Sequence, residues 1–148
     1  MKQLTAICCL LVVLFSCQNK AEEPVQALEE KDKIVYDMYE PSEMANLMNQ
    51  MYAQNLKIKQ DILDGKTPTE FPMDFMKIHT AELSDFKDRN EVFESFSNVF
   101  LNAEREIFNE DSEVPVEERF NNAVNVCISC HQTECTGPIP RIQKLLIK

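Results

Sequence analysis

A chain of 148 residues with a formal net charge of -10 has room for one modest domain and a tail, and its acidity excludes nucleic acid as a partner, since phosphate binding needs a basic surface. Two glycines against seven prolines exclude a glycine-rich phosphate loop and a many-stranded sandwich; helices with short connections suit this composition better. A hydrophobic content of 44% excludes global disorder.

Residues 1–16 read as an export signal. Lys2 precedes an apolar run from Leu4 to Phe15, too short for a bilayer span of about 20 residues. The ending Leu14-Phe15-Ser16-Cys17 resembles the bacterial lipobox, so Cys17 is the expected lipidation site. Acyl chains there would hold the protein to a membrane without spanning it, at the periplasmic side or the cell surface. Residues 17–40 are polar and acidic and read as a solvated tether, leaving 41–148 as the folded domain.

Four helical stretches follow. Ser42 suits an N-cap, and Met44, Leu47, Met48, Met51, Ile58 and Ile62 form one stripe interrupted by Asn55; Gly65 suits the stop, giving a helix over about 42–64. A second helix is expected over about 70–87, with Phe71, Phe75, Met76, His79, Leu83 and Phe86 inward. Asn90 suits the cap of a third, whose stripe is Phe93, Phe96, Phe100, Ala103 and Ile107, with Val99 beside it. Pro115 suits the first turn of a fourth, carrying Val116, Phe120, Ala123, Val124 and Cys127 inward. Amphipathic helices at these separations predict an all-α fold, an antiparallel four-helix bundle with a C-terminal extension.

The chemistry lies late in the fourth helix. Cys127-Ile128-Ser129-Cys130-His131 is the C-x-x-C-H pattern of haem c attachment. Two thiols add across the haem vinyl groups, and the adjacent imidazole becomes the proximal iron ligand. Positions 127, 130 and 131 differ by three and four, so a helix presents them on one surface. Export fits as well, because attachment in bacteria occurs outside the cytoplasm. Two other chemistries use the same residues. Cys127, Cys130, His131 and Cys135 supply zinc-type ligands, and Cys127 with Cys130 could form a disulfide or thiol-redox pair, although the βαβ pattern that usually accompanies such a pair is absent.

A helical bundle with C-x-x-C-H late in its last helix resembles the class II c-type cytochromes, the cytochrome c-prime group. The resemblance covers about residues 42–133 in helix order and is most specific at Cys127 to His131. The sequence from Gln132 to Ile142 departs from it, since the last helix of the simplest members ends soon after the haem histidine. The resemblance implies one covalent haem, single-electron transfer rather than enzymatic turnover, and a sixth iron position facing the first helix. Met48 is then the preferred sixth ligand, because its distance from Gly65 comes nearest to the methionine position in six-coordinate relatives. Met51 is its rival and Met44 stands behind both; methionines at helical spacing also simply pack. Were all three only packing, an open position for a diatomic gas would make this a gas-binding haem protein.

The remaining residues of interest have ordinary roles beside chemical ones. His79 is a candidate distal ligand or a half-buried hydrogen-bonded histidine, Cys135 is a small packed residue without an assigned partner, and Arg141 is a candidate partner for a haem propionate. Phe93, Phe96 and Phe100 belong to the core, with some expected to touch the porphyrin. The expected partners are the membrane, through the lipid, and a redox protein with a basic docking face; a second copy is open, since related bundles pair through helices.

Overall fold

The computed structural model describes residues 40–84 and 87–148; the signal segment, Cys17, the tether up to residue 39 and Phe86 lie outside the described residues. All regular elements among the described residues are helical, and none of these helices is long and apolar enough to cross a membrane. Helix α1 spans Glu43–Leu63. Ser42 caps it, its hydroxyl oxygen accepting the Ala45 N–H at 3.2 Å, and Gly65 follows with a φ of 75°, a left-handed conformation that favours glycine. Its buried stripe is Met44, Leu47, Met51, Asn55, Ile58 and Ile62. Asn55 therefore continues the stripe and does not interrupt it.

The expected second helix is replaced by a shorter element. A 3-10 helix covers only Met73–His79, and residues 80–84 and 87–90 belong to no helix. The buried residues here are Phe75, Ile78 and Ala81. A spacing of three matches the 3.0-residue turn of a 3-10 helix, whereas the expected set followed the α-helical 3.6. Ile78 takes the inward place assigned to His79. Arg89 holds the far end, donating to the Ile78 carbonyl at 2.9 Å and the Ala81 carbonyl at 2.7 Å. The segment then docks on the start of α1 through the Met44 N–H to the Glu82 carbonyl at 2.9 Å.

Helix α2 spans Glu91–Ile107, with the Asn90 side chain accepting the Phe93 N–H at 2.7 Å. Helix α3 spans Val116–Glu134, with Pro115 immediately before it. These two helices pack closely along their length. Arg119 secures the turn between them by donating to the carbonyls of Glu106, Ile107 and Asn109 at the negative end of α2. Replacing Arg119 with methionine should lower the unfolding free energy by about 2–4 kcal/mol in urea titrations, since the substitution leaves buried carbonyls unpaired.

The C-terminal extension is ordered structure rather than a tail. A short helix α4, Ile139–Ile142, runs into a 3-10 turn, Gln143–Leu145. Lys59 of α1 donates to the carbonyls of Lys144 and Leu146, both at 2.9 Å, and Asn121 of α3 exchanges two hydrogen bonds with Ile147. Ile142 and Leu145 thereby join Ile58, Ile62, Ile107, Phe120, Ala123 and Val124 in one apolar cluster. A second cluster gathers Met44, Leu47, Met51, Phe75, Ile78, Phe93, Phe100 and Leu101. Cys127 borders both, which puts the motif at the junction of the two cores.

Candidate functional site

Cys127, Cys130 and His131 sit on α3 and line a single cavity of about 370 Å³. That falls within the roughly 300–1,000 Å³ typical of small-molecule and cofactor clefts. The helix supplies the geometry by itself, since steps of three and four bring the two sulfurs and the ring to one wall. Across the cavity α1 contributes Met44, Met48, Met51, Tyr52 and Asn55; α2 contributes Phe93, Phe96, Ser97 and Phe100. The lining is mainly apolar, with polar side chains at the mouth, where Asn49 and Arg141 are exposed.

His131 is oriented by the end of its own helix. Its Nδ1 lies 2.8 Å from the carbonyl oxygen of Cys135, and the Cys135 N–H returns a bond to the His131 carbonyl at 3.1 Å. A carbonyl only accepts, so Nδ1 donates to it, and Nε2 is the nitrogen left for an electrophile such as a metal ion. This is the outer support that metal-bound histidines ordinarily have. Cys135 itself is exposed, and it acts here through its backbone.

The three methionines differ in burial. Met44 and Met51 are buried members of the core, whereas Met48 is half-buried and packs against its margin. The Met48 thioether is thus the one least committed to packing. His79 is not part of the cavity wall; its Nδ1 lies 3.4 Å from both a Glu94 carboxylate oxygen and the Ser97 hydroxyl. Arg141 donates to Asn49 Oδ1 at 2.7 Å, and its guanidinium lies 3.9 Å from the centre of the Tyr52 ring. Phe96 is half-buried on the cavity wall, and Val99 is exposed on the outer face of α2.

All three cysteines in the described residues are free thiols. Cys127 keeps some open surface, but that surface faces the cavity. Burial pushes its thiol well above the ordinary cysteine range, with the Glu104 carboxyl and then Cys130 adding to the shift. Burial, followed by Glu134, pushes the Cys130 thiol up to about 11. Thiol exchange requires the thiolate, so both sulfurs are poor redox nucleophiles in the folded chain. Among the described residues no three His, Cys, Asp or Glu side chains converge as metal ligands, so the four zinc-type ligands do not meet around a common point.

Two polar residues on the inward stripes, Ser97 and Glu104, escaped the sequence reading, and a third, Asn55, was read as a break in its stripe. Ser97, Asn55 and Glu104 are 2%, 4% and 0% exposed, as deeply placed as the apolar core. Glu104 stands behind the cavity wall, with Asn55 of α1 and Cys127 of α3 as its polar neighbours. Neither carboxylate oxygen has a hydrogen-bond partner, and Asn55 Oδ1 is likewise unpaired. Burial pushes the Glu104 carboxyl up to about 8, opposed by the Asn55 amide, which stops short of hydrogen-bond geometry. The signal was present in the sequence: Glu104 lies four residues after Phe100 and three before Ile107.

Comparison with family models, curated proteins and solved structures found no match to this chain.

Proposed function

We propose that the protein is an exported c-type cytochrome that holds one covalent haem and passes single electrons outside the cytoplasm, anchored to a membrane through Cys17. One observation carries the reading. The residues of a C-x-x-C-H motif line an apolar cavity of cofactor size, and the imidazole's Nδ1 is engaged by the Cys135 carbonyl, leaving Nε2 available. Cys127 and Cys130 would form the thioethers, His131 would be the proximal ligand, and Met48 would be the sixth. Bound there, the haem would supply the redox chemistry, while the bundle would set its ligands, burial and access. Arg141, already at the cavity mouth, retains guanidinium N–H groups for a propionate.

The antiparallel bundle of the class II cytochromes is part of this proposal. The 3-10 helix and its connection would then do the work of the second bundle helix, holding α1 away from α2 and α3 so that a flat ring fits between them. The acidic chain would favour a basic redox partner and an encounter rate that falls with salt. Buried, protonated thiols give less support to a thiol-redox role.

The pyridine haemochrome spectrum of protein exported by a host with an intact cytochrome c maturation pathway tests the reading. The expected result is a c-type band together with a mass increase of one haem on the segment containing residues 127–130. Replacing both Cys127 and Cys130 with serine should abolish covalent haem. An unmodified mass for the parent protein from such a host would overturn the proposal.

A further inference from the structure

Glu104 has no place in haem attachment or iron ligation, yet it occupies the most protected position beside the motif. It is 0% exposed, and neither of its carboxylate oxygens is hydrogen-bonded. An isolated carboxylate in such a place is costly, so the environment admits a charge only when something nearby compensates it. The groups facing it are few. From α1 there is the neutral amide of Asn55; from α3 there is Cys127, which would be a non-titrating thioether once haem is attached. Neither the 3-10 helix nor the C-terminal segment brings a charged side chain to bear on it. The one centre whose charge would change near this carboxyl is therefore the redox centre held through Cys127.

We propose that Glu104 is a proton-exchanging group coupled to electron transfer: it takes up a proton when the site gains an electron and releases it when the electron leaves. The inference rests on the haem reading and adds a control over its potential. The balance is simple. The redox partner supplies one electron and bulk water supplies one proton, which forms the O–H bond of the Glu104 carboxyl; oxidation returns both. The site's positive charge falls by one as the carboxylate's negative charge is neutralised, so the buried region keeps its net charge. Opposite charges in a poorly solvated interior attract strongly, and each state therefore favours its matching protonation. Asn55 faces both Glu104 and the cavity, and a turn of its amide would bring the unpaired Oδ1 round to accept from the protonated carboxyl. A proton would enter from the cavity mouth by way of Asn55. Burial's upward push on the carboxyl puts the exchange within an accessible pH range.

The test is a redox titration of the haem-loaded protein from pH 5 to 10, on the parent and on Glu104→Gln. The parent's midpoint potential should fall with pH over part of this range, approaching about 59 mV per pH unit for one proton per electron, while Glu104→Gln stays flat there. Reduced-minus-oxidised infrared spectra of protein labelled with ¹³C-glutamate provide a readout that needs no variant. A protonated-carboxyl band should appear on reduction and shift with the label. A flat parent profile, a slope that persists in Glu104→Gln, or no labelled carboxyl band would overturn the inference. Any of these in a protein with covalent haem leaves the cytochrome reading intact, whereas absence of haem overturns that reading itself.

Discussion

On the haem reading proposed above, replacing Met48 with leucine should turn a six-coordinate, low-spin spectrum into a high-spin one and speed carbon monoxide uptake by the reduced protein about tenfold or more. The argument starts from packing. Met48 lines the cavity but is only half-buried, whereas Met44 and Met51 sit within the core, so losing the Met48 sulfur disturbs the fold least. Leucine preserves side-chain volume, which keeps the cost of repacking below about 1.5 kcal/mol and avoids the cavity an alanine would leave. What leucine cannot supply is the thioether. An external ligand then no longer competes with a bound sulfur, and each 1.4 kcal/mol of competition removed is about one decade in affinity. The reduction potential should fall as well, because a methionine ligand favours the ferrous state. Stopped-flow carbon monoxide binding and absorption spectra check this, with Met51→Leu as the control. A response confined to Met51→Leu would move the ligand one turn along α1. A response to neither, with a high-spin parent, would make the methionines packing residues and favour the gas-binding reading.

The sequence revealed most of the frame, because helix boundaries are written in local chemistry. Ser42, Gly65, Asn90 and Pro115 each stand where a cap or stop is needed; α1 begins and ends within a residue of expectation, and α2 and α3 begin where Asn90 and Pro115 place them. The 3-10 helix was harder to read because two apolar patterns overlap: Phe71, Phe75, Met76 and Leu83 suit an α-helical period, while Phe75, Ile78 and Ala81 recur every three residues. Tertiary partners decide between them, notably Arg89 binding the Ile78 and Ala81 carbonyls. The motif residues were legible for the opposite reason: one helix positions all three, so no long-range contact is needed to bring them together. The support of His131 was not legible, since it comes from the backbone carbonyl of Cys135 and any residue there could supply it. Asn55 and Glu104 are polar residues at inward positions, the one expected to break its stripe and the other to lie in solvent. Their spacing placed them inside, and spacing was the better guide.

Glu104 has a consequence for stability that does not depend on electron transfer. In the folded chain its carboxyl holds its proton up to about pH 8, against an ordinary value of 4.5. Between these values the folded state binds a proton that the unfolded state has released. Stability must therefore fall as pH rises through this window, with a limiting slope of about 1.4 kcal/mol per pH unit, and level off above the folded value. The sign is opposite to that of a salt-bridged carboxylate, whose contribution is lost on acidification. Glu104→Gln removes the titrating group and keeps the shape, and its amide N–H can donate to the unpaired Asn55 Oδ1. Urea unfolding of the two proteins should therefore diverge with pH. Near pH 5 they should be close in stability; by pH 9 the glutamine protein should be the more stable by on the order of 2–4 kcal/mol, after allowing for water reaching the buried charge. Parallel curves from pH 5 to 9 would mean that Glu104 ionises in the folded state as freely as in the unfolded one. Its burial between α1, α2 and α3 would then have to relax before the carboxyl charges, and the coupled proton proposed for a haem held at Cys127 would be lost as well.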